Sequence, residues 1–258
     1  TFKSLNYLLN QYVMRTVITP RHLVMESKMS QGFLGITSDF ELSKRFSQIP
    51  FSNGLVKTKA HDLKGQAMSS IPSESFDTNI LHIASHVVND SLRPYRSTIF
   101  LNELSGSRIK PKLAILNGCQ TGNGTYYQSE GTISFARAFY SLGAESVLMT
   151  LWSVDDKATA DLLTLFYEEM ESGNDLDYSL RNAKVTFLES DASDELANPY
   201  YWAGLQLSGK SDQILKSNGL RTVFISIVFF MFIAIATIAY RLKFKKHEKF
   251  IQERLKLS

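Results

Sequence analysis

The sequence predicts an α/β domain, a mostly parallel sheet flanked by helices, followed by a single C-terminal transmembrane helix. Three observations lead there. Short runs of Ile, Leu, Val and Ala recur, as at residues 80–85 and 112–117, and stop at small polar residues. Runs of that length without alternation read as strands buried on both faces of a sheet. Between them lie longer segments with apolar residues three and four apart, so strand and helix alternate. Finally, residues 222–240 contain no charge over nineteen positions.

Taken in order, residues 11–18 and 32–37 read as early strands. Residues 41–75 are polar and interrupted by Pro50, Gly54, Gly65 and Pro72, which predicts a loop region with at most one short helix. Residues 80–85 form a strand that runs into His86. Residues 88–112, holding Pro94 and Pro111, form a long excursion with a short strand near 97–101. Residues 112–117 form the strand that runs into Cys119. A helix over 130–142 ends at Gly143, a residue suited to the C-terminal cap. Residues 146–152 form another buried strand. Asp155 or Asp156 caps a helix over 157–171, with Leu162, Leu165, Phe166 and Met170 on one face. Leu176, Leu180, Ala183 and Phe187 mark a further helix over 176–188.

Two strand ends carry the chemistry. In parallel α/β sheets, ligand and catalytic groups collect at the carboxyl ends of the strands. If the strands of His86 and Cys119 are neighbours, an imidazole and a thiol meet at one rim, the minimum equipment of a cysteine nucleophile and its base. Cys119 is the only cysteine, so no disulfide within the chain can occupy it. The bland reading of a lone Cys at a strand end is a small core hydrophobe. Against it stands the segment 118–124, GCQTGNG, whose three glycines let backbone approach a substrate closely. That glycine-rich stretch lacks a following Lys-Ser/Thr, which argues against a phosphate-binding module.

The ordered motifs resemble the CHAT branch of the caspase-type cysteine peptidases. Ser85-His86 and Gly118-Cys119-Gln120-Thr121-Gly122 resemble its two catalytic segments. Residues 129–139, SEGTISFARAF, resemble the helix after the nucleophile. Residues 142–147 and 151–156 (LWSVDD), Ala158-Thr159-Ala160, and Tyr201-Trp202-Ala203-Gly204 as the terminal strand continue the similarity. The resemblance spans roughly residues 11–209 and implies a caspase-like fold and a cysteine endopeptidase acting on protein or peptide substrates. It implies an oxyanion hole from the backbone N–H groups of Val87 and Cys119, and no cofactor or metal. In some relatives, acidic residues on the neighbouring loops bind a basic substrate side chain, which marks Asp90, Asp155 and Asp156 for a substrate pocket. The competing role for Asp155 and Asp156 is helix capping. Two departures stand out: Val87 replaces the usual Gly after the histidine, and Gln120 the usual Glu after the cysteine. They keep open an alternative, a catalytically weak or inactive scaffold or sensor of the same fold.

Among the other histidines, His82 reads as core packing, since no Cys or His cluster supplies a third metal ligand. His22, His61 and His247 read as surface residues.

Domain organisation follows from the ends. The resembling domain occupies 1–209, a linker 210–221, the span 222–240 and a basic tail 241–258. Nineteen helical residues rise about 28 Å, close to the roughly 30 Å hydrocarbon core. The tail holds seven Lys or Arg against two Glu, while the whole chain is only +3, so the rest is slightly acidic and nucleic-acid binding is not implied. The positive-inside rule places the tail in the cytoplasm and the domain on the opposite side, periplasmic in a Gram-negative bacterium. The chain begins at Thr1 and is expected to be the C-terminal part of a longer protein, with the family's tetratricopeptide repeats upstream as partner-binding surfaces.

Overall fold

Four of the apolar runs become five-residue strands buried along their whole length. They are β1 (Phe33–Thr37), β3 (Ile80–Ala84), β4 (Leu113–Asn117) and β5 (Ser146–Thr150). With β2 (Gln66–Met68) and β6 (Leu205–Gly209) they make one six-stranded sheet in the order β2-β1-β3-β4-β5-β6. All neighbours are parallel except β5 and β6, which are antiparallel. The structure is a computed structural model. It describes residues 2, 7–13, 32–37, 49–70, 72, 78–84, 109–117, 139–152, 155–190, 194–215, 231, 233 and 237. His86, Val87, Asp90 and Cys119 lie outside these, as do His22, His247 and the strand expected near 97–101.

Side chains alternate across the sheet, so each central strand feeds two cores. On one face Phe33, Ile80, Leu113, Ile115, Leu148 and Leu207 pack against helices α2 (Asp156–Glu171) and α3 (Leu176–Glu189). Leu162, Leu163, Phe166, Tyr167 and Met170 of α2 and Leu176, Leu180, Ala183 and Phe187 of α3 are buried there. The apolar stripes expected of both helices are therefore real contact surfaces, with Leu165 only partly buried. On the other face Leu34, Ile36, Leu81, Ile83, Ala114, Leu116, Val147 and Met149 meet Ile109, Phe139 and Ala144. Of the helix expected over 130–142, residues 130–138 lie outside the described residues; 139–141 are helical, and Gly143 follows with a φ of +98°, the left-handed conformation a C-terminal cap requires.

The region 41–75 departs from expectation. It holds a thirteen-residue helix, α1 (Pro50–Asp62), and then β2. Pro50 opens the helix instead of breaking it, because its fixed φ and missing N–H suit the first turn. Gly54 sits mid-helix facing open space, which weakens the helical signal without a clash. The buried Val56 of α1 comes so close to β1 that a Cβ on Gly35 would lie 2.3 Å from its Cγ1.

Other boundaries shift. Of the strand expected over 11–18, residues 11–13 are not strand and follow a 3-10 turn at Leu8–Asn10, while 14–18 lie outside the described residues. The segment 201–204 lies in and just after a four-residue helix, α4 (Pro199–Trp202), and the terminal strand starts at Leu205.

The chain divides into two compact units, Thr1–Lys216 and Ser217–Ser258. Residues 210–215, expected in the linker, belong to the first. The Lys210 carbonyl accepts the Ser146 hydroxyl at 2.6 Å, and the Ser211 carbonyl accepts the Leu176 N–H. In the second unit the described residues, Met231, Ile233 and Thr237, are helical and exposed. Among the described residues no helix is long and apolar enough to cross a membrane; the expected span lies almost wholly outside them.

Candidate functional site

Strands β3 and β4 are adjacent and parallel, and their last residues, Ala84 and Asn117, are register partners. His86 and Cys119 each follow two positions later in the chain. Both residues, with Val87 and Asp90, lie beyond the described part of the site. What the structure defines is the carboxyl edge of the sheet on which they follow.

Two helix N-termini meet at that edge, and each receives a carboxylate. Asp155 is the N-cap of α2, its Oδ1 accepting the Ala158 N–H at 2.8 Å. Asp156 turns to α1 instead. Its Oδ2 accepts the Phe51 N–H at 2.9 Å and its Oδ1 the Ser52 N–H at 3.1 Å, and Oδ1 also accepts the Ser52 hydroxyl. Unsatisfied N–H groups and the positive end of the helix dipole favour negative charge at both places. Adjacent carboxylates are thus accounted for by two helix starts. Asp155 is exposed, whereas both oxygens of Asp156 are engaged.

The same edge carries a polar chain that sequence reasoning missed. Ser52 is 1% exposed and Asn117 4%. Asn117 donates from Nδ2 to Ser52 Oγ at 2.8 Å, and Ser52 donates onward to Asp156. The only sequence signal was a polar residue closing an apolar strand.

Further along the edge, Trp152 donates its indole N–H to the Tyr200 carbonyl at 2.9 Å, and Tyr200 and Tyr201 stack edge to face with ring centres 5.5 Å apart. Tyr201 donates to Glu195 at 3.3 Å. Burial, then the charge of Glu195, that hydrogen bond and the charge of Asp155 push its pKa up. Lys184 donates to the Leu205 carbonyl at 2.6 Å, and burial pulls its pKa down to about 8.

His82 packs in the core, as its sequence setting suggests. Its Nδ1 lies 2.9 Å from the Tyr167 hydroxyl, and burial lowers its pKa to about 3, so the ring is neutral. His61, by contrast, has a side chain 91% exposed. Among the described residues no group of three or more His, Cys, Asp or Glu is placed to hold a metal.

An α/β domain with a six-stranded, mostly parallel sheet flanked by helices is the class of protein these elements define. Residues 50–210, from α1 through β6, match the CHAT domain, and the chain belongs to that family. It is 33% identical over 115 residues to tetratricopeptide repeat protein 28 of Mus musculus, a match covering 45% of this chain and 4% of that protein. The Homo sapiens protein of the same name is 33% identical over 110 residues, 43% of this chain and 4% of its own length. This chain therefore spans about 4% of the curated relatives it matches. Among solved structures, similarity extends to the Saccharomyces cerevisiae separase–securin complex, with TM-score 0.48, 16% identity, and 79% of this chain and 12% of that chain covered. The Porphyromonas gingivalis RgpB pro- and mature-domain complex gives TM-score 0.44 and 11% identity, covering 73% of this chain and 49% of that one. The Arg-specific cysteine proteinase gingipain R gives 0.43 and 10%, covering 78% and 50%.

Proposed function

We propose that this chain is a membrane-anchored, caspase-like cysteine endopeptidase in which Cys119 is the nucleophile and His86 its base. The observation that carries the reading is the in-register pairing of Ala84 with Asn117. Strands β3 and β4 end side by side, which supports a histidine and a cysteine acting together beyond that edge, and membership of the CHAT family supports the same assignment.

The reaction is acyl transfer. His86 takes the thiol proton, Cys119 sulfur attacks the peptide carbonyl, and the imidazolium returns the proton to the leaving amine. Water then hydrolyses the thioester with His86 again as base. The backbone N–H groups of Val87 and Cys119 hold the developing oxyanion. Asp90 favours a basic side chain beside the cleaved bond, while Asp155 and Asp156 serve the helix starts of α2 and α1. Residues 222–240 anchor the domain, the basic tail faces the cytoplasm, and upstream tetratricopeptide repeats supply partner contacts.

Val87 and Gln120 favour a second reading, a scaffold or sensor with a residual thiol. A β-branched residue stiffens the backbone where an oxyanion donor is needed. A mixed-sequence peptide library incubated with the full chain separates the two. Cleavage is expected to vanish in Cys119→Ala and nearly vanish in His86→Ala, and the double variant to be little worse than either, because the pair acts as a unit. Val87→Gly is expected to raise the rate of a working site and to leave a dead one silent. Cleavage that survives Cys119→Ala unchanged would sink the peptidase reading.

A further inference from the structure

We infer that the hydrogen-bonded chain Asn117–Ser52–Asp156 is a positioning device for Cys119; this rests on the dyad proposed above. Asn117 breaks the apolar pattern of its own strand face. Residues 113 and 115 of the same strand point the same way and are Leu and Ile, and its register partner Ala84 packs with Ile49 and Val56. A buried amide among such neighbours is costly unless its hydrogen bonds are made. Here the bond to Ser52 offsets that cost.

The chain is directional. The carboxylate of Asp156 can only accept, so the Ser52 hydroxyl spends its one proton there and turns a lone pair to the Asn117 amide. The Phe51 and Ser52 N–H groups hold the same carboxylate from the first turn of α1. Three elements are thereby tied together: the end of β4, the start of α1 and the start of α2. Cys119 lies two residues beyond the tie, within roughly 7 Å of Asn117 along extended chain. A displacement of about 1 Å at a reacting atom can cost 100-fold in rate. The tie therefore sits where small movements of the nucleophile segment are most expensive.

The opposite ends of the same two helices supply a control. Lys59 of α1 pairs with Glu171 of α2 at 2.8 Å, also within the protein, but remote from the sheet edge that leads to Cys119.

Because Cys119 is the only cysteine, alkylation by iodoacetamide reports on it alone. The alkylation rate of the full chain is measured from pH 5 to 9 for wild type, His86→Ala, Ser52→Ala, Asn117→Ala, Asp156→Asn and Lys59→Met, alongside melting temperatures. Ser52→Ala and Asn117→Ala are expected to slow neutral-pH alkylation about tenfold or more and to move its midpoint upward. Lys59→Met should lower the melting temperature while leaving rate and midpoint close to wild type. Should either Ala variant fail to fold, Asp156→Asn keeps the shape of the tie and carries the same expectation. Rates that merely track melting temperature across the set would overturn the positioning role while leaving the dyad intact. No response to His86→Ala would remove the dyad itself, and the inference with it.

Discussion

The Nδ1 of His82 lies 2.9 Å from the hydroxyl of Tyr167, while its Nε2, equally buried, has no hydrogen-bond partner among the described residues. Phe33 meets the ring edge-on at 6.5 Å between centres, and Tyr167 stacks against it at 5.9 Å. Burial, and secondarily the charge of Glu171, pushes the Tyr167 hydroxyl well above its ordinary pKa, so both groups stay neutral near pH 7.

Acid should therefore destabilise the fold through His82. The unfolded ring binds a proton below about pH 6.5, and the folded ring only below about 3. Its contribution is complete above 6.5 and is lost as pH falls toward 3, by up to about 1.4 kcal/mol per pH unit. Urea midpoints of wild type and His82→Leu, followed from pH 7 to 4, should diverge in slope, with the variant less sensitive. Parallel curves would show that His82 is not the sensor.

Gly35 marks where α1 touches the sheet. Gly35→Ala places a methyl group against Val56 and should cost about 1–3 kcal/mol by overpacking. Adding Val56→Ala should recover part of that loss, so the double variant is more stable than the sum of the singles. Strict additivity in urea denaturation would mean that the helix and the sheet do not meet there.

Asp155→Ala removes the bond to the Ala158 N–H and should lower stability by about 1 kcal/mol. Discrimination between Arg and Leu at the cleaved position is expected to stay unchanged. A selective loss of Arg cleavage with unaltered stability would instead make Asp155 a substrate-binding group.

The charge-free segment is open to a direct test in cells. The full chain should remain in the membrane pellet after alkaline carbonate, and deletion of residues 222–240 should release it. A tag on the tail should resist protease added outside intact cells. Release of the undeleted chain by carbonate would refute the anchor.

Much of this architecture was legible in the chain itself. Strands β3, β4 and β5 were readable because each is a short apolar run buried on both faces, which needs no knowledge of its neighbours. The faces of α2 and α3 were readable because helical periodicity is a local signal, and Gly143 was readable as a cap because only glycine takes that φ cheaply. The motifs around His86 and Cys119 likewise stand in the sequence alone, and with them the family.

Tertiary structure decided the rest. Helix α1 has weak periodicity, an interior glycine and no cap of its own; the carboxylate that satisfies its first N–H groups comes from Asp156, more than a hundred residues away. No local window contains that partner. The same holds for Asn117 and Ser52, and for His82 and Tyr167, each pair joined across separate elements. A short-range pattern shows which face of an element is apolar, but which polar group will meet it there depends on how the strands and helices come together.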